Sequence, residues 1–162
     1  MSLDKQTERL LTSPKVQAFL TSLTSPLEYS LVEDDPEVAP QRSYKGDAGL
    51  DLALRETRTI YPNDTAYIPS NVKFDVPEGL AIHVMTRSST FRSRVKVIPT
   101  IVDHNYTGET SVVVSNDNSY PITVERGTRL AQAVIIPAFL FDNEDGVALG
   151  ERNGGRFGSS GR

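Results

Sequence analysis

From Glu28 onward the chain is a series of short β-branched and apolar runs, each closed by a turn signal. Residues 29–32, 59–61, 66–69, 72–75, 80–85, 95–98, 111–114, 122–125 and 133–136 all have the length and texture of strands. Pro62-Asn63-Asp64, Pro77-Glu78-Gly79 and Asn116-Asp117-Asn118-Ser119 punctuate them. No long amphipathic helix interrupts the series. Many short strands at this spacing predict an all-β sandwich, jelly roll or barrel. At 162 residues the chain is long enough for one domain with a real core.

The two ends read differently. Residues 1–27 form a helical extension. Ser2 is placed to cap a first short helix, and Ser13-Pro14 is an N-cap and N1 pair for a second. Val16, Phe19, Leu20 and Leu23 then fall on one helical face, and Ser25-Pro26 closes it. That face is expected to pack on the domain body or on a partner. Residues 28–149 form the β domain. Residues 150–162 are Gly- and Ser-rich, and such a tail builds no core of its own.

Composition narrows the function. The net charge of −4 does not favour DNA or RNA, so a polyanionic ligand must be small and held by local cations. Without cysteine there is no disulfide, thiolate metal site or cysteine nucleophile. The early residues lack the apolar core of a signal peptide, and no run is long enough to cross a membrane. A cytoplasmic protein is expected.

Five stretches carry chemistry. Residues 99–109 lie between two strand-like runs and suggest a β-hairpin whose tip offers Asp103 and, three residues on, Tyr106. Asp103, ionised at neutral pH, can take a proton from water. An aromatic ring beside it can pack on a flat or sugar-like ligand. The same stretch also suits a surface turn whose Asp caps backbone amides. Asp51 lies inside a short apolar strand, where a carboxylate needs a cation, backbone amides or a metal-bound water. Arg87-Ser88-Ser89 follows a strand and suits a phosphate grip, since guanidinium donates in a fixed fork. Arg129 and Gln132 begin another apolar strand as ligand donors or plain edge residues. In the tail, glycines let amides approach phosphate, and Arg152, Arg156 and Phe157 offer charge and a stacking ring. His83 reads as a strand residue. His104 adjoins Asp103 but points to the other face of an extended segment.

In this order and spacing the five stretches resemble the motifs of the trimeric dUTP diphosphatase (dUTPase) family, over residues 47–161. The motifs are Asp47-Ala48-Gly49-Leu50-Asp51-Leu52, Arg87-Ser88-Ser89, Val102-Asp103 through Tyr106 and Gly108, Gly127 through Gln132, and Arg152 through Gly161. The resemblance implies a β jelly roll and hydrolysis of dUTP to dUMP and pyrophosphate, with Mg²⁺ on the triphosphate. It implies a homotrimer whose subunits share each active site, closed by the C-terminal tail. On these positions it implies that Asp103 activates the water that attacks the α-phosphorus, while Asp51 supports the water and metal network without binding the metal directly. Tyr106 packs on deoxyribose. The backbone of Ile101, Val102 and Asp103 reads uracil. Arg87, Ser88, Ser89 and Gln132 hold phosphates. Arg152, Gly158 and Ser159 reach the phosphate end, while Phe157 stacks on the base.

Some positions depart from the family pattern. Leu50 replaces an aromatic residue, and Thr100 replaces Gly at the entry to the uracil hairpin. Asn105 and Thr128 replace frequent Asp residues, and Asn153 and Arg156 stand where Gly is usual. Two rivals stand beside the hydrolase. One is a nucleotide-responsive regulatory binding protein that uses the N-terminal helices on a partner. The other is a dCTP deaminase, which needs a proton-shuttling carboxylate on the strand after the hairpin. Residues 111–116 hold none, and Glu109 in the preceding turn is the nearest.

Overall fold

The computed structural model describes residues 4–24, 27–92 and 95–138. Two short helices, α1 (Lys5–Leu11) and α2 (Pro14–Thr24), precede eleven strands among the described residues. Asp4 caps α1: its Oδ1 accepts the amides of Gln6 and Thr7, both at 2.9 Å. The cap is therefore Asp4 and not the expected Ser2, since a side chain at the N-cap reaches the amides two and three residues on. Hydrogen bonds from Thr7 hold the Asp4 carboxylate below its ordinary pKa. The Ser13-Pro14 start of α2 is as read, with the Gln17 amide donating to the Ser13 carbonyl at 2.9 Å. α1 packs against α2, and Leu11 and Leu20 remain exposed.

The strands are β1 (Glu28–Leu31), β2 (Leu50–Ala53), β3 (Arg58–Ile60), β4 (Thr65–Pro69), β5 (Val72–Asp75) and β6 (Leu80–Thr86). After a 3₁₀ turn over Ser88–Arg92 come β7 (Lys96–Ile98), β8 (Thr100–Val102), β9 (Ser111–Ser115), β10 (Ile122–Val124) and β11 (Arg129–Pro137). They form four antiparallel groups: β2-β11-β6-β8, β4-β9-β7, β1-β5 and β10-β3. The all-β expectation holds.

Alternation explains which faces turn inward. In β5, Val72 and Phe74 are buried while Lys73 and Asp75 face out. Leu52, Leu54, Ile60, Ile68, Ile82, Val112 and Val114 fill one continuous core. Turns follow the residues suited to them. Gly79 adopts φ 86° in the turn that opens β6, and Asn63 takes φ 62° in the turn before β4.

The segment around residues 99–109 is more than a hairpin tip. β7 does pair with β9, Ile98 opposite Val113. Pro99 lacks the amide that would continue the ladder. The chain then leaves that sheet, and β8 pairs with β6 instead, Val102 opposite Ile82. The residues before Asp103 are thus built into the four-stranded sheet.

Candidate active site

β11 is the central strand from which one group of site residues is assembled. Gln132 lies opposite Asp51 of β2 on one side and Met85 of β6 on the other. Asp51 is 6% exposed, and its cation is Arg87, just past the end of β6: Nη2 donates to Oδ2 at 2.7 Å. Ser43 donates to the same oxygen at 3.1 Å. Arg87 also donates through Nη1 to the Arg129 carbonyl at 2.8 Å, and its own amide donates to the Leu130 carbonyl at 3.1 Å. The guanidinium is therefore fixed at the rim of the sheet with part of its surface open. Ser88 and Ser89 follow it, exposed, in the 3₁₀ turn.

Gly49 has a packing reason to be glycine. A Cβ there would run into Gln132 Oε1, so a larger residue would push the Gln132 amide from its present place. Gln132 in turn reaches the Thr86 carbonyl through Nε2 at 3.4 Å. Asp51, Arg87, Ser88, Ser89 and Gln132 form one neighbourhood. It is rich in hydrogen-bond donors suited to an anion.

Asp103 and Tyr106 belong to a second group. Asp103 directly follows β8 and is half-buried, with Ile101 exposed and Val102 buried just before it. The Tyr106 amide donates to the Asp103 carbonyl at 3.1 Å, which closes a tight turn. The ring then folds back: its hydroxyl donates to the Glu109 carbonyl at 3.0 Å. A Cβ on Gly108 would meet the Tyr106 hydroxyl at 2.5 Å, so this fold-back needs glycine. His104 is exposed, and His83 is half-buried in β6 opposite Ile101, as expected for a strand residue.

The two groups sit toward opposite ends of β6. Because Val102 pairs with Ile82, Asp103 continues beside Ala81, six residues from Arg87. At roughly 3.3 Å per residue that is about 20 Å along the strand. One chain thus presents two half-sites. Arg152, Phe157, Gly158 and Ser159 lie outside the described residues.

Sequence reading missed the ion network behind the second half-site. Glu109 is 6% exposed and accepts Arg55 bidentately, Nε to Oε1 at 2.8 Å and Nη2 to Oε2 at 2.9 Å. Arg55 also donates to Glu33 at 2.6 Å, and Arg126 pairs with both Glu33 and Asp35. Glu109, then Glu33, hold the Arg55 pKa above its ordinary value. Arg55 and then Arg126 hold Glu33 below the usual carboxylate range. The available signal was weak: Arg55 two residues after β2, and Glu109 two residues before β9.

Such an arrangement defines an all-β protein with a split polar site, one part at each end of its central sheet. Residues 35–161 match the family model described as dUTPase, and the chain belongs to the dUTPase family. The deoxyuridine 5′-triphosphate nucleotidohydrolase of Anaeromyxobacter sp. (strain Fw109-5) is 38% identical over 133 residues, covering 78% of this chain and 90% of that one. The enzyme of the same name from Clostridium tetani is 31% identical over 141 residues, covering 84% and 97%. Among solved structures, a mutant dUTPase from phage phi11 of S. aureus, described with a structural Mg(II) ion, aligns with TM-score 0.66 at 21% identity, over 77% of this chain and 99% of that one. A mutant dUTPase of Staphylococcus bacteriophage 80alpha, solved with dUpNHpp, aligns with TM-score 0.64 at 26% identity, over 86% and 100%. The jelly-roll expectation therefore holds for the fold.

Proposed function

We propose that the protein hydrolyses dUTP to dUMP and pyrophosphate at sites shared between copies of the chain in a homotrimer. The observation that carries this reading is the split site in a member of the dUTPase family. Asp103 and Tyr106 lie toward one end of β6, and Asp51, Arg87 and Gln132 toward the other. A substrate with a base at one end and phosphates at the other joins two such half-sites only if neighbouring copies supply them.

In this reading Asp103 orients a water and removes its proton as the water attacks the α-phosphorus in line. Its place directly after β8 anchors it to the sheet. Positioning and charge neutralisation do most of the work in such a transfer. Tyr106 packs on the deoxyribose and leaves no room for a 2′-hydroxyl. Backbone groups of Ile101, Val102 and Asp103 read the uracil edge, and the exposure of Ile101 keeps that edge accessible. Arg87, Ser88, Ser89 and Gln132 hold phosphates, and Arg152, Phe157, Gly158 and Ser159 of the tail cover the substrate.

Mg²⁺ fits this donor set as an ion carried on phosphate and water oxygens. Among the described residues no three His, Asp or Glu side chains are grouped to hold a metal ion, and Asp51 already has Arg87 and Ser43 as partners. Bound there, the ion supplies charge neutralisation on the triphosphate. The residues around it supply position.

The deaminase rival loses its base. β9 carries no carboxylate, and the Glu109 carboxylate is buried and occupied by Arg55. The regulatory rival differs in turnover. Product analysis with Mg²⁺ and each of dUTP, dCTP, dTTP and UTP tests all three. Release of dUMP and pyrophosphate from dUTP alone is expected. Ammonia from dCTP, or tight dUTP binding without turnover, would overturn the hydrolase reading.

A further inference from the structure

Two ties of Tyr106 help shape the loop from Asp103 to Gly108. The Tyr106 amide meets the Asp103 carbonyl, and the Tyr106 hydroxyl meets the Glu109 carbonyl at 3.0 Å. The second tie sets where the ring lies. Its value depends on how firmly Glu109 is held, and Glu109 is buried and tied through its carboxylate.

Three donors grip the Glu109 carboxylate. Arg55 donates through Nε at 2.8 Å and Nη2 at 2.9 Å, and the Asn71 amide donates to Oε1 at 2.8 Å. Asn71 sits at φ 66°, fully buried, with its Oδ1 accepting the Val32 and Glu33 amides. The next residue is stitched down as well. The Thr110 amide donates to the Val72 carbonyl at 2.8 Å, and its carbonyl accepts the Ser70 amide at 3.0 Å. A fork-shaped guanidinium on a buried carboxylate fixes orientation as well as charge. The Glu109 carbonyl is therefore a rigid acceptor on a rigid frame, and Gly108 lets the ring reach it.

We propose that the Arg55–Glu109 ion pair is the positioning element for Tyr106, and through it a determinant of discrimination between deoxyribose and ribose nucleotides. This rests on the reading of Tyr106 as the sugar contact. Neither charge touches substrate. The pair holds the carbonyl that holds the hydroxyl that holds the ring. Loosening it frees the ring to swing aside and admit a 2′-hydroxyl.

The test compares kcat/KM for dUTP and UTP, together with melting temperature, in Tyr106→Phe, Glu109→Gln, the double variant, and Tyr106→Ala. Tyr106→Phe removes the tie to the carbonyl and keeps the ring that packs on the core. It is expected to lower the dUTP/UTP ratio about threefold to tenfold, the worth of one hydrogen bond. Glu109→Gln keeps an acceptor for the Asn71 amide but loses the charge that fixes Arg55, and is expected to lower the ratio similarly. The double variant is expected to lower it no further than either single, because both cut one chain of contacts. A Glu109→Gln protein that melts lower but keeps the wild-type ratio would overturn the inference and leave the pair purely structural. Fully multiplicative losses in the double variant would also overturn it. An unchanged ratio in Tyr106→Ala would instead overturn the sugar-contact reading itself, and the inference with it.

Discussion

Replacing Arg87 by methionine isolates what the buried carboxylate at position 51 requires. Methionine keeps most of the apolar stem, so packing changes little. What disappears is the 2.7 Å pair to Asp51 and the 2.8 Å bond to the Arg129 carbonyl. Removing one partner of a fully buried ion pair costs about 3–5 kcal/mol, because a charge is left uncompensated. Here the Asp51 side chain is 9% exposed but Arg87 is 24% exposed, and Ser43 still donates to Oδ2. The cost should sit below that range, at about 2–3 kcal/mol. For a chain of 162 residues this corresponds to a fall in Tm of roughly 5–10 °C, read by calorimetry at one protein concentration because association shifts midpoints. Adding Asp51→Asn should then recover much of the loss, since the uncompensated charge is gone. Loss of stability under about 2 °C, or a double variant no more stable than the single, would refute the view that Asp51 depends on Arg87.

Asp103→Asn is expected to cut turnover by about 10²–10⁴-fold while dUTP binding persists, and near-normal single-turnover rates would remove Asp103 from its assigned role. Deleting residues 151–162 should lower turnover strongly and leave a folded trimer, checked by activity and light scattering; loss of the trimer would make the tail structural. Acid should loosen the segment that carries Glu33 and Asp35. Glu33 is held below its ordinary pKa by Arg55 and then Arg126, and Asp35 by the Glu37 amide and then Arg126. Carboxylates so depressed stabilise the fold fully above their unfolded values of about 4.3 and 3.9, and lose that contribution as the pH falls below them. Urea midpoints measured from pH 7 down to pH 3 should therefore fall less steeply in a Glu33→Gln, Asp35→Asn variant, and parallel curves would refute the assignment.

Most of what was legible in the sequence had a local cause. Strand runs such as 72–75 and 111–114 announce themselves by β-branching and alternation, and the turn at Pro77-Glu78-Gly79 by residues that tolerate its angles. The helix start at Ser13-Pro14 was legible for the same reason, whereas the Asp4 cap was missed in favour of Ser2, two residues away. The motif order was also in the sequence, and with it the family.

What the sequence alone did not decide was which residues meet. Asp51 plainly needed a partner, but only the pairing of β11 with both β2 and β6 brings Arg87 to it. The departure of β8 from the expected hairpin, and hence the distance between Asp103 and Arg87 along β6, follows from a strand choosing between two sheets. The Arg55–Glu109 pair joins residues 54 positions apart. Propensity and turn chemistry act over a few residues, and so they are written in the sequence. Sheet register and buried charge pairing are settled by competition among distant segments for one core, and only the folded chain records the outcome.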